Sequence, residues 1–74
     1  MVIRQIEKIE EGLYQISSPF CECGKSLSIG ITGEQLFAYR QGELTHNVLP
    51  NRTPAEREQF ISGTCPECWK LLFG

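Results

Sequence analysis

Phe20-Cys21-Glu22-Cys23-Gly24 and Thr64-Cys65-Pro66-Glu67-Cys68-Trp69 are the two stretches that decide the fold of this 74-residue chain, and they hold all four of its cysteines. Two close pairs of thiols set in turn-forming sequence make a complete tetrahedral ligand set for one metal ion. A pair separated by two residues at the first turn of a helix brings both sulfurs to one side, where helix amides and dipole stabilise thiolates. Cys65 and Cys68 fit that arrangement. Cys21 and Cys23 have one residue between them, which departs from the commonest spacing, but Gly24 lets the backbone turn sharply and aim amides at sulfur, as in a zinc knuckle. A metal held by Cys21, Cys23, Cys65 and Cys68 ties the first third of the chain to its far end and closes most of the domain.

Other readings of the cysteines are weaker on chemical grounds. Met1-Val2-Ile3-Arg4-Gln5-Ile6-Glu7 is charged within four residues, so the opening predicts neither a signal peptide nor a transmembrane span. The expected setting is a reducing cytoplasm, where paired cysteines hold metal more often than each other. A disulfide between Cys21 and Cys23 would be heavily strained. Cys65-Pro66-Glu67-Cys68 also reads as a thiol redox motif at a helix start, yet the strand feeding a long helix in a βαβ unit is missing. Ordinary core thiols would not fall into two pairs flanked by turns. Iron suits four sulfurs as zinc does. Four thiolates leave no coordination position for water or substrate, so the expected ion is a single structural Zn2+ and not a catalytic one.

A chain of this length buries too small a fraction of its surface to be stable by its core alone with much margin, which is why it needs a staple. The formal charge is −2, from nine glutamates, no aspartate and seven Lys plus Arg. Zinc on four thiolates takes this to about −4. A generic phosphate-backbone binder goes the other way, so nucleic acid is disfavoured as a partner, though a local basic patch stays open.

Residues 2–9 and 13–18 read as a hairpin, with Glu10-Glu11-Gly12 as its turn and Ser18-Pro19 ending the pairing. Lys25-Ser26-Leu27-Ser28-Ile29-Gly30-Ile31 places Leu27, Ile29 and Ile31 on one face of a third strand. Thr32 with Gln35, three residues on, makes a capping box for a first helix that Gly42 stops. Leu44 to Pro50 reads as a loop or a single helical turn. Thr53, Pro54 and Glu56 start a second capped helix running through Phe60 and Ile61 to Gly63. Thr64 is expected to cap a last helix over 65–73 that carries Trp69, Leu72 and Phe73 inward. The fold class is therefore α+β: one domain over 1–74, a small three-stranded antiparallel sheet and two or three short helices closed by one structural zinc site.

No catalytic set can be assembled. His46 is the single histidine and sits in a polar loop, where a surface role fits best. It has no serine or free cysteine recognisably paired with it. Gly30-Ile31-Thr32-Gly33 lacks the glycines and the following Lys-Ser/Thr of a phosphate loop. Phe20, Phe37, Tyr39, Phe60, Trp69 and Phe73 are expected to pack the core around the metal. Tyr39-Arg40 and Trp69-Lys70 could instead stack on bases, but basic residues interleaved with aromatics are few. Arg40, Arg52 and Arg57 are candidates for a patch that pairs with acidic groups of a partner protein.

From Tyr39-Arg40-Gln41-Gly42 through Leu49-Pro50 to Arg57-Glu58-Gln59-Phe60-Ile61-Ser62-Gly63-Thr64-Cys65-Pro66-Glu67-Cys68-Trp69, the chain resembles small uncharacterised zinc-binding proteins encoded by tailed bacteriophages. The resemblance covers about half of the chain, residues 37–73, and implies a phage-derived domain in the host cytoplasm without an established activity. More loosely, a knuckle plus a helix-start pair looks like zinc-ribbon and treble-clef domains, although two helices intervene here where those folds have a hairpin. The expectation is a non-catalytic protein-interaction module that modulates a host enzyme such as the transcription apparatus. The alternatives are a zinc-ribbon nucleic-acid binder and a thiol redox protein using Cys65 and Cys68.

Overall fold

The computed structural model describes residues 1–73, the side chain of Phe73 excepted. Three strands, β1 (Gln5–Glu10), β2 (Leu13–Ser17) and β3 (Ser28–Thr32), form one antiparallel sheet in the order β1-β2-β3. Four short helices follow: α1 (Gly33–Arg40), α2 (Thr45–Val48), α3 (Pro54–Gln59) and α4 (Pro66–Phe73). The α+β expectation is met, with one more helix because the Leu44–Pro50 segment does form a turn of helix.

The register explains which sheet face is buried. Ile16 lies opposite Ile6 on one side and Ile29 on the other, and Tyr14 lies opposite Ile31, so these apolar side chains share a face. Helix α1 packs on that face over β2 and β3, leaving every residue of β1 exposed at the sheet edge. Gly12 closes the hairpin with φ +79, a conformation that costs other residues steric strain. The core proper comprises Ile16, Ile29, Ile31, Leu36, Val48, Leu49 and Phe60.

The caps form as the sequence predicts. Gln35 N–H donates to Thr32 Oγ1 at 3.2 Å while Thr32 N–H donates to Gln35 Oε1 at 2.9 Å. The Gln35 amide group also donates to the Val48 carbonyl at 2.8 Å, which fastens α2 to α1. At α3 the Glu56 N–H donates to Thr53 Oγ1 at 3.2 Å and the Thr53 N–H to Glu56 Oε1 at 3.1 Å. Helices this short are not stable by themselves, so the cap matters. Thr53→Ala is expected to cost about 1 kcal/mol, read as a lower urea midpoint at unchanged slope.

Several expectations need correcting. Helix α3 stops at Gln59 and not at Gly63, although Ser62 N–H still bonds the Glu58 carbonyl at 2.8 Å, so a loosened turn bridges the difference. Of the aromatic residues assigned to the core whose side chains are described, Phe60 alone is fully buried; Tyr39 and Trp69 are half-buried, and Phe20 and Phe37 are 61% and 64% exposed. Leu72 points outward as well, and the Phe73 side chain lies outside the described residues. The physical reason is geometric: a sheet with one covered face and helices of one or two turns has room for few large rings. Phe20 finds a different use, since the Arg4 guanidinium carbon lies 4.2 Å from its ring centroid.

Candidate metal centre

Two backbone features build the first half of the site. Beyond the end of β2, Ser18 N–H donates to the Leu27 carbonyl and Leu27 N–H to Ser18 Oγ, both at 2.8 Å. Residues 19–25 are thereby pinched into a closed loop. Within it Cys21 N–H donates to the Lys25 carbonyl at 2.7 Å and Gly24 N–H to the Cys21 carbonyl at 2.8 Å, with Gly24 at φ +91. That is the sharp turn the sequence expects of Gly24. The buried side chain of Gln59, at the end of α3, holds the loop from behind: its Nε2 donates to the Lys25 carbonyl at 3.0 Å and to the Pro19 carbonyl at 3.4 Å.

The second half begins at Gly63, whose φ of +87 turns the chain back toward the loop. Helix α4 starts at Pro66, and the Trp69 N–H donates to the Cys65 carbonyl at 2.8 Å, so Cys65 itself occupies the cap position. Thr64, expected in that role, instead accepts a hydrogen bond from the Ser62 hydroxyl at 3.2 Å. Cys65 and Cys68 then lie on the first turn of α4, with sulfurs facing the loop.

All four sulfurs lie within 4.8 Å of one another, and Cys23 Sγ is 3.5 Å from Cys65 Sγ. Thiolates 2.3 Å from a central ion at tetrahedral angles sit about 3.8 Å apart. The cluster therefore has the size, the donor chemistry and the ligand number to hold a metal ion, from the four residues the sequence singles out. Cys21 and Cys65 are buried, Cys68 is half-buried and Cys23 is exposed.

The electrostatics of the bare cluster are unbalanced. The amides of Cys23 and Cys65 both donate to the Cys21 sulfur and lower its thiol pKa to about 6. The Cys68 thiol is pushed up to about 12 by its sulfur neighbours Cys65, Cys21 and Cys23. Cys23 receives the Lys25 amide, which favours its thiolate, but Cys65, burial and Cys21 outweigh this and raise it. Four like charges cannot gather here unaided, and a dication is what would let them. Loading should therefore release protons, from Cys68 and Cys23 above all, because Cys21 is already ionised at neutral pH. Because Cys68 and Cys23 hold their protons well above neutral pH, zinc affinity is expected to rise continuously as the pH increases above about 6, and to fall more steeply below it, where acid also protonates Cys21. Adding zinc to weakly buffered protein with a pH indicator measures the release; affinity that stays flat over this range would mean that the sulfurs are not the ligands.

A salt bridge joins the two halves outside the sulfurs: Lys25 Nζ lies 2.5 Å from Glu67 Oε2. This contact raises the Lys25 pKa and lowers that of Glu67, and its exposure limits its worth to stability. Lys25, Glu67, Ser18 and Gln59 are the supporting residues that the sequence reading did not pick out. A buried glutamine next to a buried phenylalanine carries no signal in a single sequence, because its partners are backbone carbonyls far away in the chain. His46 is exposed and lies on the wall of a separate groove. Of the three arginines proposed as a patch, Arg52 is paired with Glu56 at 3.7 Å.

Among the described residues no helix is long and apolar enough to cross a membrane. No protein-family model, curated protein or solved structure matches the chain.

Proposed function

We propose that this chain is a non-catalytic interaction module, stabilised by one structural zinc ion on Cys21, Cys23, Cys65 and Cys68, whose partner is a protein. The observation that carries the reading is an open groove of about 490 Å³ between the N-terminal residues and α2, α3 and α4. Leu44, Ile61 and Trp69 give it apolar walls, and Arg57, His46 and the carboxylate of Glu58 add polar ones. Leu44 and Ile61 are more than half exposed, which suits an apolar anchor residue of a partner, and the Arg57 guanidinium suits a carboxylate beside that anchor. The metal holds α4, and with it the Trp69 wall, in place. Sulfur ligation of this kind leaves zinc coordinatively closed, which favours scaffolding over hydrolysis. The resemblance of residues 37–73 to phage proteins directs the search to host enzymes, the transcription apparatus among them.

The test is capture from bacterial lysate by the zinc-loaded domain, with identification by mass spectrometry and reconstitution from purified components. A protein that binds this chain but not its Ile61→Glu form, while Leu71→Glu at an exposed site outside the groove still binds, supports the reading. Turnover of a substrate that is lost on changing a residue outside the cluster would overturn it. Titration with DNA and RNA at two salt concentrations decides the nucleic-acid alternative, which requires salt-sensitive binding.

A further inference from the structure

The four sulfurs are not equivalent toward solvent. As residues, Cys21 and Cys65 are 7% and 1% exposed and Cys68 is half-buried, whereas Cys23 is the exposed member of the four. Its sulfur is also in contact with that of Cys65 at 3.5 Å, across 42 positions of sequence. An oxidant therefore reaches Cys23 first, and a second thiolate from the opposite half of the site stands next to it. Cys21 is the poorer partner, because only one residue separates it from Cys23 and the ring would be strained.

We propose that Cys23 is the oxidant-sensing sulfur of this site, and that a hydroperoxide converts Cys23 and Cys65 into a disulfide that expels the metal while keeping the loop and α4 joined. The inference rests on the metal reading given above. In the first step the Cys23 thiolate attacks a peroxide oxygen: an S–O bond forms, the O–O bond breaks, and the leaving oxygen takes a proton to depart as water or alcohol. In the second the Cys65 thiolate attacks the Cys23 sulfur: the S–S bond forms, the S–O bond breaks, and hydroxide leaves with a proton as water. The two sulfurs together lose two electrons and the peroxide gains them. Cys21 and Cys68 alone are half a ligand set and do not retain the ion. The sulfurs must close from contact to a bond of about 2.05 Å, a movement small enough for the exposed Cys23 loop to make. A thiol reductant reverses the reaction, and the freed cluster takes up metal again.

Zinc-loaded protein treated with hydrogen peroxide tests this, with zinc release followed by a chromogenic chelator and the cross-link located by fragmentation mass spectrometry of unreduced peptides. Zinc release in step with a Cys23–Cys65 disulfide, and recovery of both with dithiothreitol plus zinc, is the expected result. Cys23→His, which keeps a ligand nitrogen but removes the oxidisable sulfur, should load zinc and release it several-fold more slowly under peroxide. A Cys23–Cys68 or Cys65–Cys68 disulfide, or loss of zinc with no cross-link between the halves, overturns the proposal while leaving the metal reading intact. Failure of the untreated protein to bind zinc at all overturns the metal reading and this inference with it.

Discussion

Stripped of metal by a strong chelator, or carrying Cys68→Ser, the chain is expected to lose its cooperative unfolding transition and the dispersion of its amide NMR spectrum. The reason lies in where the core stops. The seven core residues lie in β2, β3, α1, in and just after α2, and at the end of α3; α4 contributes none of them. Among the helices α4 packs chiefly on α3; Leu71 faces solvent, and Leu72, on the Cys68 side, lines a cleft with Phe20 but stays largely exposed. Among the described residues, what holds α4 without an ion is chiefly its packing on α3, the half-buried Trp69 and the exposed Lys25–Glu67 pair. A core of this size supplies at most about 3–5 kcal/mol, whereas structural zinc contributes apparent binding energies of about 10–16 kcal/mol in small zinc-finger peptides. Removal of the larger quantity should dominate. If the chelated sample keeps native shifts for Ile16, Ile29 and Ile31 and changes only in α4 and the loop, the sheet and α1 suffice without metal.

Phe60→Ala is the second change expected to unfold much of the population, this time with the metal site chemically intact. Phe60 is fully buried, the largest side chain in that condition. Its carbonyl also accepts the Val2 N–H at 2.6 Å, so the residue pins the N-terminal segment to the helices. Truncating such a ring costs about 3–5 kcal/mol, from lost transfer energy and the cavity left behind. That is as much as the core as a whole provides, and excess zinc should recover only part of it by mass action. The paired control is Phe37→Ala, an equally large truncation on the solvent side of α1, which should shift the urea midpoint by less than about 0.5 kcal/mol. A cost at Phe60 below about 1 kcal/mol would mean that the core is centred elsewhere.

The local rules were legible in the sequence. Both capping boxes, the hairpin with its glycine turn and the shared face of Ile29 and Ile31 are each written within a few consecutive residues, so no knowledge of the rest of the fold is needed to read them. The clustering of the four cysteines was legible for a related reason, since thiols that are to meet one ion must come in close pairs. What could not be read was long-range. Aromatic residues look alike in sequence whether they end under a helix, as Phe60 does, or beside an arginine on the surface, as Phe20 does. Thr64 satisfies the rule for a cap, but the chain enters α4 one residue later because the cysteine carbonyl already accepts the first helical hydrogen bond. Gln59 is the clearest case. Its place in the interior is set by two carbonyls at positions 19 and 25, and periodicity in α3 says nothing about them.

That glutamine holds the loop to a fixed span. One side-chain amide spans the carbonyls at its two ends while Cys21 and Lys25 are bonded across it, so the distance between those ends is held by a single group at the end of α3. The unusual one-residue interval between Cys21 and Cys23 then lies inside a loop whose ends are held together from another part of the chain. Loss of the Gln59 amide should therefore loosen both cysteines of the loop at once without touching either of them.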